Sequence, residues 1–208
     1  MTRTPEPMTL SAPWPLALGR VAACSVHAAD TDEELLARFT GGEPEALDAL
    51  VWRHHQPLLN FCWRMVGEHE AAEDLVQETF WRVLTKARTF GRKATFRTWL
   101  YAIAVNVCRD HLPAQARVQE RPAPQWASVG NCSSHVGDWA GALRTARVAE
   151  ALGHIDPETR AALVLHFYRG LSYREVARAL RWSASKVAKR IGVGLERLHN
   201  MLGEAWES

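Results

Sequence analysis

The chain has 208 residues, 47% hydrophobic and 23% charged, with a formal net charge of +2; this is ordinary globular usage, long enough for one medium domain or two small helical ones. No uninterrupted apolar run approaches the roughly 18 residues a membrane helix needs, so no membrane insertion is expected. The four cysteines, Cys24, Cys62, Cys108 and Cys132, fall at irregular spacings; they do not read as a disulfide framework and point to a cytoplasmic location.

Residues 1–29 read as a disordered N-terminal extension rich in proline and alanine. Val21-Ala22-Ala23-Cys24 superficially resembles a lipoprotein cleavage site, but Pro13, Pro15 and Arg20 interrupt the apolar core such a signal needs. Structure is expected from Asp30. Thr31 with Glu34 makes a capping box, Leu35, Leu36 and Phe39 supply an apolar face, and Gly41-Gly42 ends the first helix. Leu47, Leu50, Val51, Leu58, Leu59 and Phe61 recur at helical spacing and carry a second helix from Glu45 through Met65-Val66-Gly67. A third is expected over about 70–88, with Leu75, Val76, Phe80, Val83 and Leu84 inward. A short basic loop then leads to a fourth over about 95–112.

Pro113, Pro122, Pro124, Gly130, Ser133, Ser134 and Gly137 make residues 113–140 a flexible linker. Helicity resumes at about 141–152, and Asp156-Pro157 then supplies an N-cap followed by proline at the first helical position. Ser172 and Glu175 form a second capping box ahead of a helix of about eight residues. A break at Arg181–Ser183 precedes a last helix ending near Leu202. The expected fold is all-α: a four-helix domain over 30–112 and a smaller helical domain over 141–208.

The near-neutral total hides three blocks. Residues 30–78 carry twelve acids against three bases, residues 79–121 nine bases against two acids, and residues 169–200 eight bases against two acids. That pattern suggests polyanion contact at two places and a different partner at a third. In the last block, helix, three-residue turn and helix make a helix-turn-helix candidate. Its second helix sets Ser185, Lys186, Lys189 and Arg190 along one side, where hydroxyls and cations reach base edges and phosphates. In the middle block, Phe90, Arg92, Lys93, Phe96, Arg97, Trp99 and Tyr101 interleave aromatics with bases. Single-stranded DNA binding needs that mixture, and a factor that opens a duplex must offer an unstacked base a pocket. Upstream, Asp74 and Glu78 lie four apart on one helix face and could meet a basic protein.

Three stretches resemble one family: Ala72-Glu73-Asp74-Leu75-Val76-Gln77-Glu78-Thr79-Phe80, Phe96-Arg97-Thr98-Trp99-Leu100-Tyr101-Ala102-Ile103-Ala104-Val105-Asn106, and Gly170-Leu171-Ser172-Tyr173-Arg174-Glu175-Val176-Ala177. They are similar, in this order, to regions two and four of extracytoplasmic-function sigma factors, over roughly residues 31–112 and 141–202. The resemblance implies a sigma region 2 domain over 30–112 and a sigma region 4 helix-turn-helix domain over 141–208. It implies that Asp74, Leu75, Gln77, Glu78 and Phe80 serve docking on the clamp helices of core RNA polymerase. Phe90, Arg92, Lys93, Phe96, Arg97, Trp99, Asn106 and Arg109 would recognise and melt the minus-ten element. Tyr173, Arg174, Ser183, Ser185, Lys186, Lys189 and Arg190 would read the minus-thirty-five element, and the apolar surface around Leu163, Leu165 and Phe167 would sit near the polymerase flap. Implied partners are core polymerase, promoter DNA as duplex and single strand, and an anti-sigma factor. The chain departs from the family where Ala102, Ala188, Val193 and Leu195 replace usual bases, where Arg181 stands at a turn position often held by glycine, and at Gly192 and Gly194, which weaken a helix.

Two rival readings are a conventional helix-turn-helix regulator whose N-terminal domain senses a ligand or dimerises, and an adaptor that never meets DNA. The aromatic-basic block separates them, since only a melting factor needs it. Cys24-Ser25-Val26-His27 and Cys132-Ser133-Ser134-His135 are formally enough ligands for one zinc ion. Their separation makes coincidence the better reading, because closing so long a loop costs chain entropy. Cys62 and Cys108 read as small buried hydrophobes. No phosphate-cradling loop or nucleophile–base spacing is found, so neither enzymatic activity nor a cofactor is expected.

Overall fold

The structure, a computed structural model, describes residues 29–112, apart from Arg92, and residues 147–203; the N-terminal extension, the linker and both Cys-x-x-His pairs lie outside the described residues. Every regular element within them is helical. The first unit comprises α1 (Asp32–Thr40), α2 (Glu45–Val66), α3 (His69–Lys86) with a 3-10 turn over Ala87–Thr89, and α4 (Phe96–His111). The second comprises α5 (147–153), α6 (Pro157–Leu163) running into a π turn over Val164–Tyr168, α7 (Tyr173–Leu180) and α8 (Ala184–Gly203).

Local chemistry sets the helix starts. Both capping boxes form, Thr31 with Glu34 and Ser172 with Glu175, each satisfying two otherwise unpaired backbone amides. Asp156 accepts from the Thr159 amide with Pro157 behind it, and Thr95 accepts from the Thr98 amide. Gly67 ends α2 with φ 82°, a left-handed conformation natural to glycine. Arg181 closes α7 at φ 56°, where a side chain costs about 1–2 kcal/mol.

Amphipathic faces then assemble the first core. Leu35, Leu50, Leu58, Phe61, Met65, Phe96 and Leu100 are essentially unexposed, and the Phe61 and Tyr101 rings meet edge-on at 5.2 Å. Burial pushes the Tyr101 hydroxyl up to about 12. Cys62 and Cys108 are fully buried. Their mutual hydrogen bond, with burial, holds the Cys108 thiol well above its ordinary range, which makes it unreactive. Asp32 pins α1 down: its carboxylate takes His54 Nε2 at 2.7 Å and Arg53 Nη1 at 3.1 Å. Burial works to raise the pKa of Asp32, but these two partners outweigh it and the net shift is downward.

In the second unit Ile155, Ala162, Leu165, Leu171, Val176, Val187 and Ile191 form the core. Gly194 lets α6 and α8 approach closely, since a Cβ there would lie 2.8 Å from Leu163 Cδ1 and from Thr159 Cγ2.

The two units pack against each other, α7 lying on α4. Arg160, 3% exposed, donates to the carbonyls of Met65, Gly153 and Ile155 at 2.6–2.9 Å. Arg169 donates to Pro57 O at 2.8 Å and lies 5.9 Å from the Tyr101 ring centroid. Arg64 stacks on Tyr168 at 4.2 Å.

Candidate nucleic-acid and partner interfaces

The acidic block resolves into one helix face. Asp74 and Gln77 are exposed and Glu78 half-exposed, whereas Leu75 and Phe80 turn inward at 5% exposure each. These two therefore hold α3 in place and do not present to a partner. Trp81, 51% exposed, continues the i, i+3, i+4, i+7 row begun by Asp74, Gln77 and Glu78. The sequence reading missed it, although that spacing was the signal. Arg82 Nε donates to Glu78 at 2.6 Å, and Arg82 Nη1 donates to Asp110 at 3.0 Å, tying the acidic face to the end of α4.

The aromatic-basic block builds a layered cluster. Phe96 is fully buried; Phe90 and Trp99 are half-buried around it, with Phe90 5.2 Å from Trp99 and 6.5 Å from Phe96 by ring centroids. Phe90 follows the 3-10 turn and also lines a cavity of about 150 Å³ between that turn and α1. Phe90 thus both packs in the aromatic cluster and lines the cavity. Glu33, also missed in the sequence, lines the same cavity and accepts the Phe96 amide at 2.6 Å, fixing the start of α4 from α1. Lys93 and Arg97 are exposed beside it. Arg92 lies outside the described residues. Asn106 and Arg109 are exposed further along α4, Asn106 Nδ2 donating to Ala102 O of its own helix at 2.8 Å.

In the helix-turn-helix, Ser183 Oγ accepts from the Lys186 amide at 3.2 Å and lies 3.1 Å from Ser185 Oγ. Ser185, Lys186 and Lys189 are exposed at the start of α8, with Lys186 Nζ 4.1 Å over Trp182. Val187 and Ile191 turn into the core. Arg190 is engaged inside the unit: it donates to Thr159 at 3.2 Å and lies 3.5 Å from Asp156 and 3.9 Å from Glu158. Tyr173 and Arg174 are exposed on the first turn of α7. Leu163 and Leu165 are buried, while the π turn leaves Phe167 55% exposed.

The units bring the two candidate DNA surfaces side by side. Glu175 is held below the usual carboxylate range chiefly by its Ser172 cap, with Arg97 of α4 contributing from across the contact. Among the described residues no group of three or more His, Cys, Asp or Glu could hold a metal ion, and no helix is long and apolar enough to cross a membrane.

Comparison with known proteins agrees with this division. Residues 50–118 match the family model for sigma-70 region 2, and residues 145–198 that for sigma-70 region 4. The chain is 33% identical to the RNA polymerase sigma factor CarQ of Myxococcus xanthus over 81% of this chain and 96% of that one. It is 32% identical to the ECF RNA polymerase sigma factor SigX of Bacillus subtilis over 74% of this chain and 82% of that one. Among solved structures it is similar to CnrH in complex with the cytosolic domain of CnrY, with TM-score 0.64, 28% identity and coverage of 84% of this chain and 99% of that one.

Proposed function

The chain belongs to the extracytoplasmic-function group of sigma-70 RNA polymerase sigma factors, and on that premise we propose how its surfaces divide promoter recognition. The face of α3 bearing Asp74, Gln77, Glu78 and Trp81 docks on the clamp helices of core polymerase. Leu75 and Phe80 support that face from within. The loop from Phe90 to Arg97 takes a flipped non-template base of the minus-ten element, with Phe96 and Trp99 backing it and Asn106 and Arg109 contacting the upstream edge. Helix α8 enters the major groove of the minus-thirty-five element through Ser183, Ser185, Lys186 and Lys189, and Tyr173 and Arg174 meet the backbone. Arg190 acts by holding α8 on α6. Phe167 is the exposed apolar residue that meets the flap. The protein works in the cytoplasm by binding, without catalysis of its own.

One observation carries this reading: a single chain presents an aromatic cavity beside exposed cations, a basic recognition helix, and an acidic face carrying an exposed tryptophan. A duplex-binding regulator has no use for the first. The packing of α7 on α4 is then a closed state. Elements about 25 base pairs apart lie about 85 Å apart on B-form DNA, so both are read only after the units separate. CnrH is seen in complex with the cytosolic domain of CnrY; for this chain we propose a protein partner as well, an anti-sigma factor that favours the closed state.

The test is competition for core polymerase with run-off transcription from a promoter that the wild-type protein selects. The Asp74→Lys, Glu78→Lys double variant is expected to lose both core binding and transcription while keeping its fold, since exposed charge changes typically cost within about 0.5 kcal/mol and the Glu78–Arg82 pair is a surface pair. Normal competition by the folded double variant would remove the docking assignment.

A further inference from the structure

We propose that Arg181, in the turn between α7 and α8, binds a backbone phosphate of the minus-thirty-five duplex. This rests on the reading of α8 as the recognition helix and adds a contact from outside that helix.

The backbone at Arg181 is strained. Among the described residues it is the only non-glycine with positive φ, at φ 56° and ψ 42°. Glycine would hold the same turn without a Cβ pressed against the backbone. Residues kept in such a conformation against local preference gather where function needs the side chain. Packing gives no other reason for an arginine here. Arg181 is exposed, and its guanidinium has no hydrogen bond or ion pair among the described residues. Nor does the end of α7 lack a cation, since Arg178 already stands in its last turn.

The charges around it lack a counterpart. From Val176 to Leu195 the chain carries five bases, Arg178, Arg181, Lys186, Lys189 and Arg190, and no acid. Like charges at that density repel one another unless a polyanion lies against them. Asp156 and Glu158 engage Arg190 at 3.5 and 3.9 Å. Beyond it Gly192, Val193 and Leu195 are exposed and uncharged, and Arg197 lies 3.7 Å from Asp156. The cations left for DNA therefore gather at the turn and the first turns of α8.

Arg181 stands where a phosphate would pass. It precedes by two residues Ser183, whose hydroxyl accepts the Lys186 amide, so their Cα atoms are no more than about 7.6 Å apart. Lys186 Nζ, 4.1 Å over the Trp182 ring, ties the turn to the start of α8. The start of a recognition helix lies in the major groove, and residues beside it follow the phosphates that edge the groove. A guanidinium offers paired N–H donors to two phosphate oxygens.

The experiment titrates holoenzyme, assembled from core polymerase and the full chain, against a fluorescein-labelled duplex. The duplex carries the upstream half of a promoter that the wild-type protein selects and ends before the minus-ten element. Losing one phosphate contact lowers the log–log salt slope by about 0.9. Taken as counterion release referenced to about 1 M salt, that weakens binding about fifteenfold at about 50 mM and about fourfold at about 200 mM. Arg181→Gly and Arg181→Asn, whose new residues suit the left-handed backbone, are expected to show this loss. Arg181→Lys is expected to keep the wild-type slope. Thermal melting of the same proteins separates binding from folding. Arg181→Gly should bind less tightly yet melt no lower than the wild type, a pairing that a merely structural role does not give. Wild-type affinity and slope in both neutral variants, or an equal loss of slope in Arg181→Lys, overturns the proposal. Lys189→Ala on the same duplex locates a failure. If it lowers the slope while the neutral Arg181 variants do not, α8 stays the recognition helix and Arg181 alone is released. If none of them lowers the slope, the recognition-helix reading falls, and this proposal falls with it.

Discussion

Arg169→Ala is the cleanest probe of the closed state. Arg160 also bonds to Gly153 and Ile155 of its own unit, so its loss would damage the fold. The side-chain contacts of Arg169 reach across instead, to Pro57 O at 2.8 Å and the Tyr101 ring at 5.9 Å. A hydrogen bond from a charged donor is worth about 1.5–3 kcal/mol and a partly exposed cation–π contact about 0.5–1. Because Arg169 is half-exposed, solvent screening brings the total to about 2 kcal/mol. Removing that moves the closed-to-open ratio roughly thirtyfold toward open. Single-molecule energy transfer between dyes on p-azidophenylalanine, placed at exposed Trp52 on α2 and exposed Arg178 on α7, reads the ratio directly. The variant is expected to shift population to low transfer efficiency and to bind minus-thirty-five duplex more tightly as the free chain. An unchanged distance distribution alongside a lowered melting temperature would mean that Arg169 only stabilises its own unit, and the closed-state argument would fail.

The two glycines of α8 should respond in opposite directions: Gly192→Ala, with open space around the added methyl, gains about 1 kcal/mol in denaturant unfolding. Gly194→Ala loses about 1 kcal/mol net, because overpacking against Leu163 and Thr159 outweighs the gain in helix propensity. Arg181→Gly relieves the left-handed backbone at the end of α7 and should raise stability by about 1 kcal/mol in the same assay. Asp32, whose folded pKa lies below its unfolded value of 3.8, contributes stability that is present above that value and lost as pH falls through the folded pKa. Asp32→Asn should therefore flatten the acid limb of a stability–pH profile below about pH 4; an unaltered limb would show that the Asp32–His54–Arg53 cluster is energetically silent.

Local rules were legible in the sequence and the contacts between units were not. Capping boxes, a proline at the first turn and the Gly41-Gly42 pair marked helix boundaries because each acts on its own backbone within a few residues. Hydrophobic spacing likewise placed Val187, Ile191 and Cys62 inside. Arg169 meets Pro57 O and Arg160 meets Met65 O, each across about a hundred residues of chain and each through a backbone carbonyl. Every residue carries a carbonyl, so no side-chain pattern announces such a partner. The same limit hid Glu33, whose acceptor role toward Phe96 spans α1 to α4. Gly194 reads as a weak point in a helix until α6 is seen against it. Arg190 reads as a DNA contact because helical spacing places it beside Lys186 and Lys189, but the acids at the start of α6 reach it first.

Promoter opening is the central step, and permanganate reactivity of unpaired thymines in the holoenzyme–promoter complex measures it directly. Stacking a base on an aromatic is worth about 1–3 kcal/mol, so Phe90→Ala should lower reactivity in the minus-ten region roughly five- to a hundredfold at unchanged core binding. A template already mismatched there should recover part of the loss, since unpairing no longer has to be driven. Full permanganate reactivity from the folded Phe90→Ala fraction on intact duplex would contradict the assignment of melting to this loop.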